Sequence, residues 1–209
     1  MNAVLRATST LACTIALFGC AGDATPGSGD SVALAESAAA NAATGAGMDS
    51  ANAPGAAATG GGTVSLRDAG GREFGMLTLA GATTGTGISL SGTLRGMPPG
   101  EHGIHVHTVG RCDAPGFETA GGHWNPTSRK HGTQGENGPH HGDMMNITVG
   151  ADSTATVQLT TQGGTLSGAD ALMDADGASV VVHATADDYK TDPSGNSGAR
   201  VACGVISGS

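Results

Sequence analysis

The chain has 209 residues and a formal net charge of −9, from 9 Lys and Arg against 18 Asp and Glu. It contains no block of basic residues, and this charge balance excludes nucleic acid as an expected partner. Aromatic residues make up 2% of the chain and glycines number 37, so a core must come from aliphatic side chains and from close backbone packing at glycine.

The first twenty residues have the pattern of a secretory signal. Arg6 is their one charged residue, and an apolar run over residues 11–19 leads to Cys20. This run is too short to span a membrane as a helix, so we interpret residues 1–20 as a signal peptide. The Leu-Phe-Gly-Cys end resembles a bacterial lipoprotein signal, although Phe18 is larger than the residue usual there. We expect a lipid anchor at Cys20 and a periplasmic, cell-envelope location; ordinary cleavage and an uncleaved anchor are the alternatives.

Residues 21–62 are rich in Ala, Gly, Ser and Thr and have no sustained apolar period. Such a segment cannot bury enough apolar surface to offset the entropy that it would lose on ordering. We therefore predict that residues 21–62 form a disordered tether and that residues 63–209 form a single folded domain.

Short alternating apolar runs bounded by glycine follow the tether and indicate β-strands. No window carries a helical apolar period with caps. The eight predicted strands cover residues 63–68, 73–79, 87–94, 102–107, 145–149, 154–159, 179–183 and 200–206. Eight short antiparallel strands favour an all-β fold, either a Greek-key barrel or a sandwich. Segments 108–144 and 184–199 exceed ordinary connections in length, and loops this long tend to carry function.

The four cysteines divide by position. Cys13 lies within the predicted signal, and Cys20 is the predicted lipidation site. Cys112 and Cys203 remain in the folded domain, and an exported domain matures in an oxidising compartment. The sequence therefore predicts a disulfide bond between Cys112 and Cys203.

Histidines are concentrated in one stretch. Seven of the eight lie between His102 and His141, and the eighth, His183, belongs to a predicted strand. His105 and His107 are two residues apart in a strand, so their side chains share a face and can bind one metal ion. A lone His-Val-His could equally be structural. Because Gly-Gly-His-Trp-Asn-Pro, Lys-His-Gly and His-His-Gly-Asp follow at short loop spacings, the pattern favours a metal centre.

These motifs resemble the copper/zinc superoxide dismutase family in its bacterial exported form. The resemblance extends to Gly-Glu-His-Gly-Ile-His-Val-His, Val-Val-His and Gly-Asn-Ser-Gly-Ala-Arg-Val-Ala-Cys-Gly-Val-Ile, and it covers about residues 63–207 in order. It implies an enzyme that disproportionates superoxide to oxygen and hydrogen peroxide, with one copper and one zinc ion per subunit. Homodimeric and monomeric forms both remain open.

The resemblance implies two metal sites that share one histidine. The implied copper ligands are His105, His107, His123 and His183. The implied zinc ligands are His123, His131, His140 and Asp143. His140 matches the His-x-Gly-Asp spacing, which leaves His141 as a solvent-side neighbour; an exchange of their roles is the alternative. His102 is expected to be structural, with its ring hydrogen-bonded to loop backbone.

Asp187 lies four residues beyond His183. By resemblance it matches the carboxylate that bridges a copper-ligand histidine and a zinc-ligand histidine, here His105 and His131, and that fixes their orientation. The alternative is an ordinary solvated acidic residue of the loop.

Arg200 stands just before the last predicted strand. By resemblance it provides the cation that attracts superoxide, and together with His123 it is expected to take part in catalysis. Ser194 and Lys190 are weaker candidates, the first for narrowing the channel and the second for steering the anion. A non-catalytic member of the family should lack Arg200 or a copper ligand, and none of these is missing.

Overall fold

The computed structural model describes residues 61–82, 86–134, 137–168 and 171–208. The predicted signal and all but the last two residues of the predicted tether lie outside them. The described residues are all-β apart from one 3-10 helix at Glu118–Ala120, which confirms the predicted fold class. Their strands are β1 (Gly61–Arg67), β2 (Glu73–Gly81), β3 (Ile88–Arg95), β4 (Gly100–His102), β5 (Ile104–His107), β6 (Ile147–Val149), β7 (Thr154–Thr160), β8 (Ser179–His183) and β9 (Arg200–Gly208).

The described strands form two antiparallel sheets. One has seven strands in the order β5-β8-β9-β1-β2-β3-β7, and the other pairs β4 with β6. In the large sheet the last strand, β9, lies between β8 and β1, and Val64 of β1 is opposite Ile206 of β9. The two ends of the domain therefore meet inside the sheet. None of the helices in the described ranges is long and apolar enough to cross a membrane.

The predicted strand 102–107 is broken at Gly103, so the described residues form nine strands in place of the expected eight. β4 pairs with β6, whereas β5 pairs with β8. Gly103 is buried where the chain leaves one sheet for the other, and a Cβ there would lie 3.0 Å from the Cβ of Ser197. At the other boundary, β1 begins at Gly61, so the last two residues of the predicted tether belong to a strand.

The core is aliphatic, as the composition indicates. Leu66, Leu77, Leu79 and Leu90 are fully buried, and they alternate with exposed or half-buried residues along β1, β2 and β3. Burying each such side chain contributes about 2 kcal/mol. Strands β1 and β9 approach closely at Gly204, where a Cβ would clash with the backbone of β1. Glycine thus supplies the close packing that larger side chains do not.

The two long segments predicted as loops contain no strand in the described ranges. The first carries the 3-10 helix and Cys112, which is bonded to Cys203 of β9 with an S–S distance of 2.01 Å, so the predicted disulfide is present. Next to this bond lies a small second core of Phe117, Ala120, Val181 and Cys203. The disulfide and this second core hold the first loop against the large sheet.

Candidate metal centre

Four buried histidines from distant parts of the chain converge at one end of the large sheet. We call His105, His107, His123 and His183 the four-histidine group. His105 and His107 come from β5, and His183 is the last residue of the neighbouring β8. His123 arrives from the first loop through an isolated bridge to His107. No side chain in the group is more than 8% exposed.

In each of these rings one nitrogen is already bonded within the protein. The pairs are His105 Nε2 with Asp187 Oδ2 (2.7 Å), His107 Nδ1 with Gly121 O (2.9 Å), His123 Nδ1 with Asp143 Oδ1 (2.9 Å) and His183 Nδ1 with Gly198 O (3.2 Å). The other nitrogens have no hydrogen-bond partner among the described residues: His105 Nδ1 and the Nε2 atoms of His107, His123 and His183. Buried nitrogens of this kind fit a metal ion, which would accept their lone pairs.

Burial also keeps these rings neutral. Desolvation lowers the pKa of His105 to about 3 and that of His183 to about 4. It also lowers the pKa of His107 and His123, and charge repulsion between the rings adds to the effect. At neutral pH each ring of the four-histidine group therefore has a lone pair to offer a metal ion.

A second group surrounds one carboxylate. We call His123, His131, His140 and Asp143 the Asp143 group. The Nδ1 atoms of His123, His131 and His140 lie 2.9, 3.0 and 3.3 Å from the same oxygen, Asp143 Oδ1. Its other oxygen accepts the backbone N–H groups of Gly132 and His140, both at 3.0 Å. Three nitrogens and one oxygen at this spacing are the donor set of a tetrahedral zinc site.

The protonation of this group also fits a cation. Burial opposes the charged form of Asp143, but hydrogen bonds from three histidines outweigh it and hold the pKa of that carboxyl well below its usual range. Burial also opposes protonation of His131, yet Asp143 and Asp187, one on each ring nitrogen at 3.0 Å, raise its pKa to about 9. A zinc ion would take the place of the proton on His131 Nδ1.

Asp187 connects the two groups. Its Oδ2 accepts from His105 Nε2 at 2.7 Å and its Oδ1 from His131 Nε2 at 3.0 Å, so the structure places it at the bridge that the resemblance implied. It is 3% exposed, which rules out the reading as a solvated loop residue. Asp187 binds the Nε2 atoms of His105 and His131, which point away from the two groups. It therefore fixes the orientation of both rings and leaves their Nδ1 atoms directed into the groups.

Asn146 holds Asp187 in place, a role that its sequence position does not predict. The Asn146 side chain donates from Nδ2 to the carbonyl of Asp187 at 3.0 Å and accepts its N–H at 2.9 Å. The backbone N–H of Asn146 donates to the hydroxyl of Tyr189 at 2.9 Å. The one sequence signal is that Asn146 follows Asp143 by three residues, and such proximity does not predict a contact with a loop some forty residues away.

The two remaining histidines lie outside both groups. His102 has its Nδ1 2.8 Å from the carbonyl of His183 and its Nε2 3.0 Å from that of Pro98, which is the backbone contact expected of it. His141 is half-buried with its ring 5.4 Å from that of Trp124. The structure thus brings His140, and not His141, to Asp143.

A cavity of about 410 Å³ opens over the four-histidine group, lined in part by His107, His183, Ser194 and Arg200. Arg200 donates from Nη1 to the carbonyl of Phe117 at 2.6 Å and from Nη2 to that of Gly121 at 2.7 Å. Burial lowers the pKa of its guanidinium, which nevertheless stays charged at neutral pH. Lys190, the other cation singled out by the sequence, is exposed and does not line this cavity.

Comparison with known proteins identifies the family. Residues 74–206 match the family model described as copper/zinc superoxide dismutase. A Cu-Zn superoxide dismutase of Caulobacter vibrioides is 42% identical over 140 residues, 65% of this chain and 79% of that protein. Cu-Zn superoxide dismutase 1 of Aquifex aeolicus is 39% identical over 139 residues, 65% of this chain and 81% of that protein.

A solved structure agrees with this match. The crystal structure of a SOD-like protein from Bacillus subtilis superimposes with a TM-score of 0.67 at 35% identity, covering 70% of this chain and 99% of that one. The family model spans well over half of the chain, from β2 to β9, and includes both histidine groups. The protein belongs to the copper/zinc superoxide dismutase family.

Proposed function

We propose that this protein disproportionates superoxide to oxygen and hydrogen peroxide in the cell envelope. One observation carries the activity: four buried imidazole nitrogens without partners in the described residues meet beneath a cavity that is also lined by Arg200. The nitrogens suit a copper ion, and the guanidinium suits a small anion beside it.

The two groups divide the metals between them. Copper would be held by the four-histidine group, because a redox-active ion suits imidazole nitrogens. Zinc would be held by the Asp143 group, which offers nitrogen and oxygen donors in a closed arrangement. When bound, copper supplies the one-electron acceptor and donor that converts two superoxide anions and two protons into oxygen and hydrogen peroxide.

His123 is the residue that can carry a proton in this reaction. Its Nδ1 belongs to the Asp143 group, while its Nε2 faces the other three histidines and has no partner among the described residues. Nε2 is therefore the atom at which this ring can accept a proton and later give it to the reduced oxygen species. Zinc bound in the Asp143 group would hold the opposite nitrogen, Nδ1, and so keep the ring in place.

Arg200 binds and orients the anion. Its guanidinium is held at the wall of the cavity by two carbonyls, and in a chain of net charge −9 it makes a local positive field. Such a field raises the association rate of a small anion, and dissolved salt screens it. Ser194 lines the same cavity, where its small hydroxyl side chain would narrow the path of the anion.

The activity is tested on the folded domain loaded with copper and zinc. We expect superoxide removal at a rate that approaches the diffusion limit and falls as ionic strength rises. A fully metallated sample that does not accelerate dismutation would contradict the proposed activity. This assay should come first, because the similar Bacillus subtilis protein is described as SOD-like and not as a superoxide dismutase.

The location rests on the N-terminal sequence, namely the apolar run 11–19 and the Cys20 that follows it. In this proposal Cys20 is lipidated and residues 21–60 tether the domain to the membrane. Mass spectrometry of the processed N-terminus separates a lipid on Cys20 from a free cut end, and sedimentation of the soluble domain separates homodimer from monomer.

A further inference from the structure

Arg200 depends on a loop for the direction of its guanidinium. Its backbone is fixed by the sheet, where Arg200 is opposite His183 in the pairing of β9 with β8. Its guanidinium, at the other end of a long flexible side chain, is bonded to the carbonyls of Phe117 and Gly121. These two residues flank the 3-10 helix Glu118–Ala120. A shift of this short helix would therefore redirect the guanidinium while the sheet stayed in place.

Of these two residues, Phe117 has the side chain that can fix the helix. Its ring is 3% exposed and packs in the second core with Ala120, Val181 and Cys203. Gly121 has no side chain, and its carbonyl is shared between Arg200 at 2.7 Å and His107 Nδ1 at 2.9 Å. Phe117 thus provides the apolar contact that links the carbonyls around Arg200 to the sheet.

The backbone of Phe117 is held in an unusual conformation. Its φ is 58°, in the left-handed region that residues other than glycine seldom occupy. Its N–H donates to the carbonyl of Asp113 at 3.0 Å, and its carbonyl accepts from Ala120 N at 3.1 Å as well as from Arg200. A bulky residue persists in this region where the surrounding packing determines it, and such residues concentrate at functional sites.

We propose that Phe117 is a positioning residue for superoxide: its buried ring fixes the carbonyl that holds Arg200 at the wall of the metal cavity. The inference rests on the proposed function, in which Arg200 attracts the anion. It adds that the affinity of this site for anions is set by an apolar contact outside the cavity, next to the Cys112–Cys203 bond.

The test measures anion binding without catalysis. Azide, a small anion, is titrated into the copper- and zinc-loaded protein and followed by the absorption of the cupric site, with metal content measured in parallel. For Phe117→Ala we expect an azide Kd about tenfold higher, the scale of losing one hydrogen bond to a charged group, at unchanged metal content. Phe117→Leu, which keeps apolar bulk, should recover most of the affinity.

Two controls separate positioning from general destabilisation. Phe74→Ala removes the same ring from the main core at β2, and it should lower stability while leaving the azide Kd unchanged. In an Arg200→Ala background Phe117→Ala should have no further effect on the azide Kd, because it acts through Arg200.

The outcomes are distinguishable. An azide Kd that stays within twofold of the wild-type value in Phe117→Ala and Phe117→Leu would overturn the inference, as would an equal rise in the Arg200→Ala background. If Arg200→Ala itself binds azide as the wild type does, the proposed role of Arg200 fails, and the inference about Phe117 fails with it.

Discussion

The four-histidine group and the Asp143 group share His123 but differ in how their surroundings shift the pKa of the histidine rings. In the four-histidine group, burial lowers the pKa of every ring, so the rings are neutral at neutral pH. Three of these rings are hydrogen-bonded through their other nitrogen to Asp187, Gly121 or Gly198. In the second, the buried carboxylate of Asp143 contacts three rings, and Asp143 and Asp187 together outweigh the effect of burial and raise the pKa of His131 to about 9. The first can accept a metal at its free nitrogens without releasing a proton, whereas the second must release the Nδ1 protons that His123 and His131 donate to Asp143.

The groups also differ in the part of the fold that positions their residues. His105, His107 and His183 belong to paired strands, so the sheet sets their spacing with or without metal. His131, His140 and Asp143 lie in the first loop, where hydrogen bonds to Asp143 join them. We infer that zinc organises its own loop, while copper enters a site that the sheet has already built.

The largest expected effect comes from removing a copper ligand. His183→Ala should weaken copper binding more than about hundredfold, since loss of a supporting partner alone costs up to that much, and dismutation should fall with it. Zinc content should be retained, because His183 does not belong to the Asp143 group, which would hold the zinc ion. Metal analysis and a dismutation assay measure both results, with His141→Ala as the matched control. Equal loss of zinc would show that the groups are not separable.

Next in size is removal of the central carboxylate. Asp143→Asn should weaken zinc binding by about hundredfold, because a neutral amide is a poor zinc ligand and leaves His131 beside a single carboxylate. Copper affinity should change by less than about tenfold, since three of its four ligands are held by the sheet. Competition with a chelator gives both affinities. Copper loss as large as zinc loss would contradict the division of labour between sheet and loop.

A smaller effect on both metals is expected at the bridge. Asp187→Asn keeps the shape of the side chain but removes its negative charge and one acceptor oxygen. One of His105 and His131 then loses its hydrogen bond, and the other keeps only a weaker bond to a neutral amide. We expect each metal to bind about tenfold more weakly, and the cupric spectrum to shift as the His105 ring reorients. Asn146→Ala, which removes the backbone clamp on Asp187, should change the spectrum in the same direction. An unchanged spectrum in both variants would remove Asp187 from this role.

The smallest expected effect is on the pH dependence of the free energy of unfolding of the metal-free protein. His105 and His183 have pKa values lowered to about 3 and about 4, so the unfolded chain binds more protons and stability is lost as pH falls below about 6.5. His131 has a pKa raised to about 9, so its stabilisation is complete below about 6.5 and is lost as pH rises through 9.

Denaturant unfolding at several pH values checks this. The free energy of unfolding should be greatest near neutral pH and fall on both sides, and the alkaline decline should be reduced in His131→Gln. An alkaline decline of full size in that variant would contradict the assignment. Bound zinc should flatten the alkaline decline, because it replaces the Nδ1 proton of His131. The acid decline should remain when both metals are bound, because protons compete with the metals for the neutral rings.

Much of this protein follows from local sequence. The alternation along β1, β2 and β3 predicts their buried leucines, because neighbouring residues of a strand face opposite sides. The His-Val-His spacing predicts a chelating pair for the same reason. The cysteine count predicts the Cys112–Cys203 bond, since these two cysteines are the ones left in the domain. The resemblance, which rests on ordered motifs, named the members of both groups.

Other features were decided by tertiary contacts between distant segments. These are the break at Gly103, the choice of nitrogen in each ring, the clamp of Asn146 on Asp187 and the anchoring of Arg200 through Phe117. Sequence pattern reports which face of a strand a residue occupies and how far apart two residues lie along the chain. It does not report which loop carbonyl meets which side chain, because that depends on how two long loops pack against one sheet and on the burial that this packing produces.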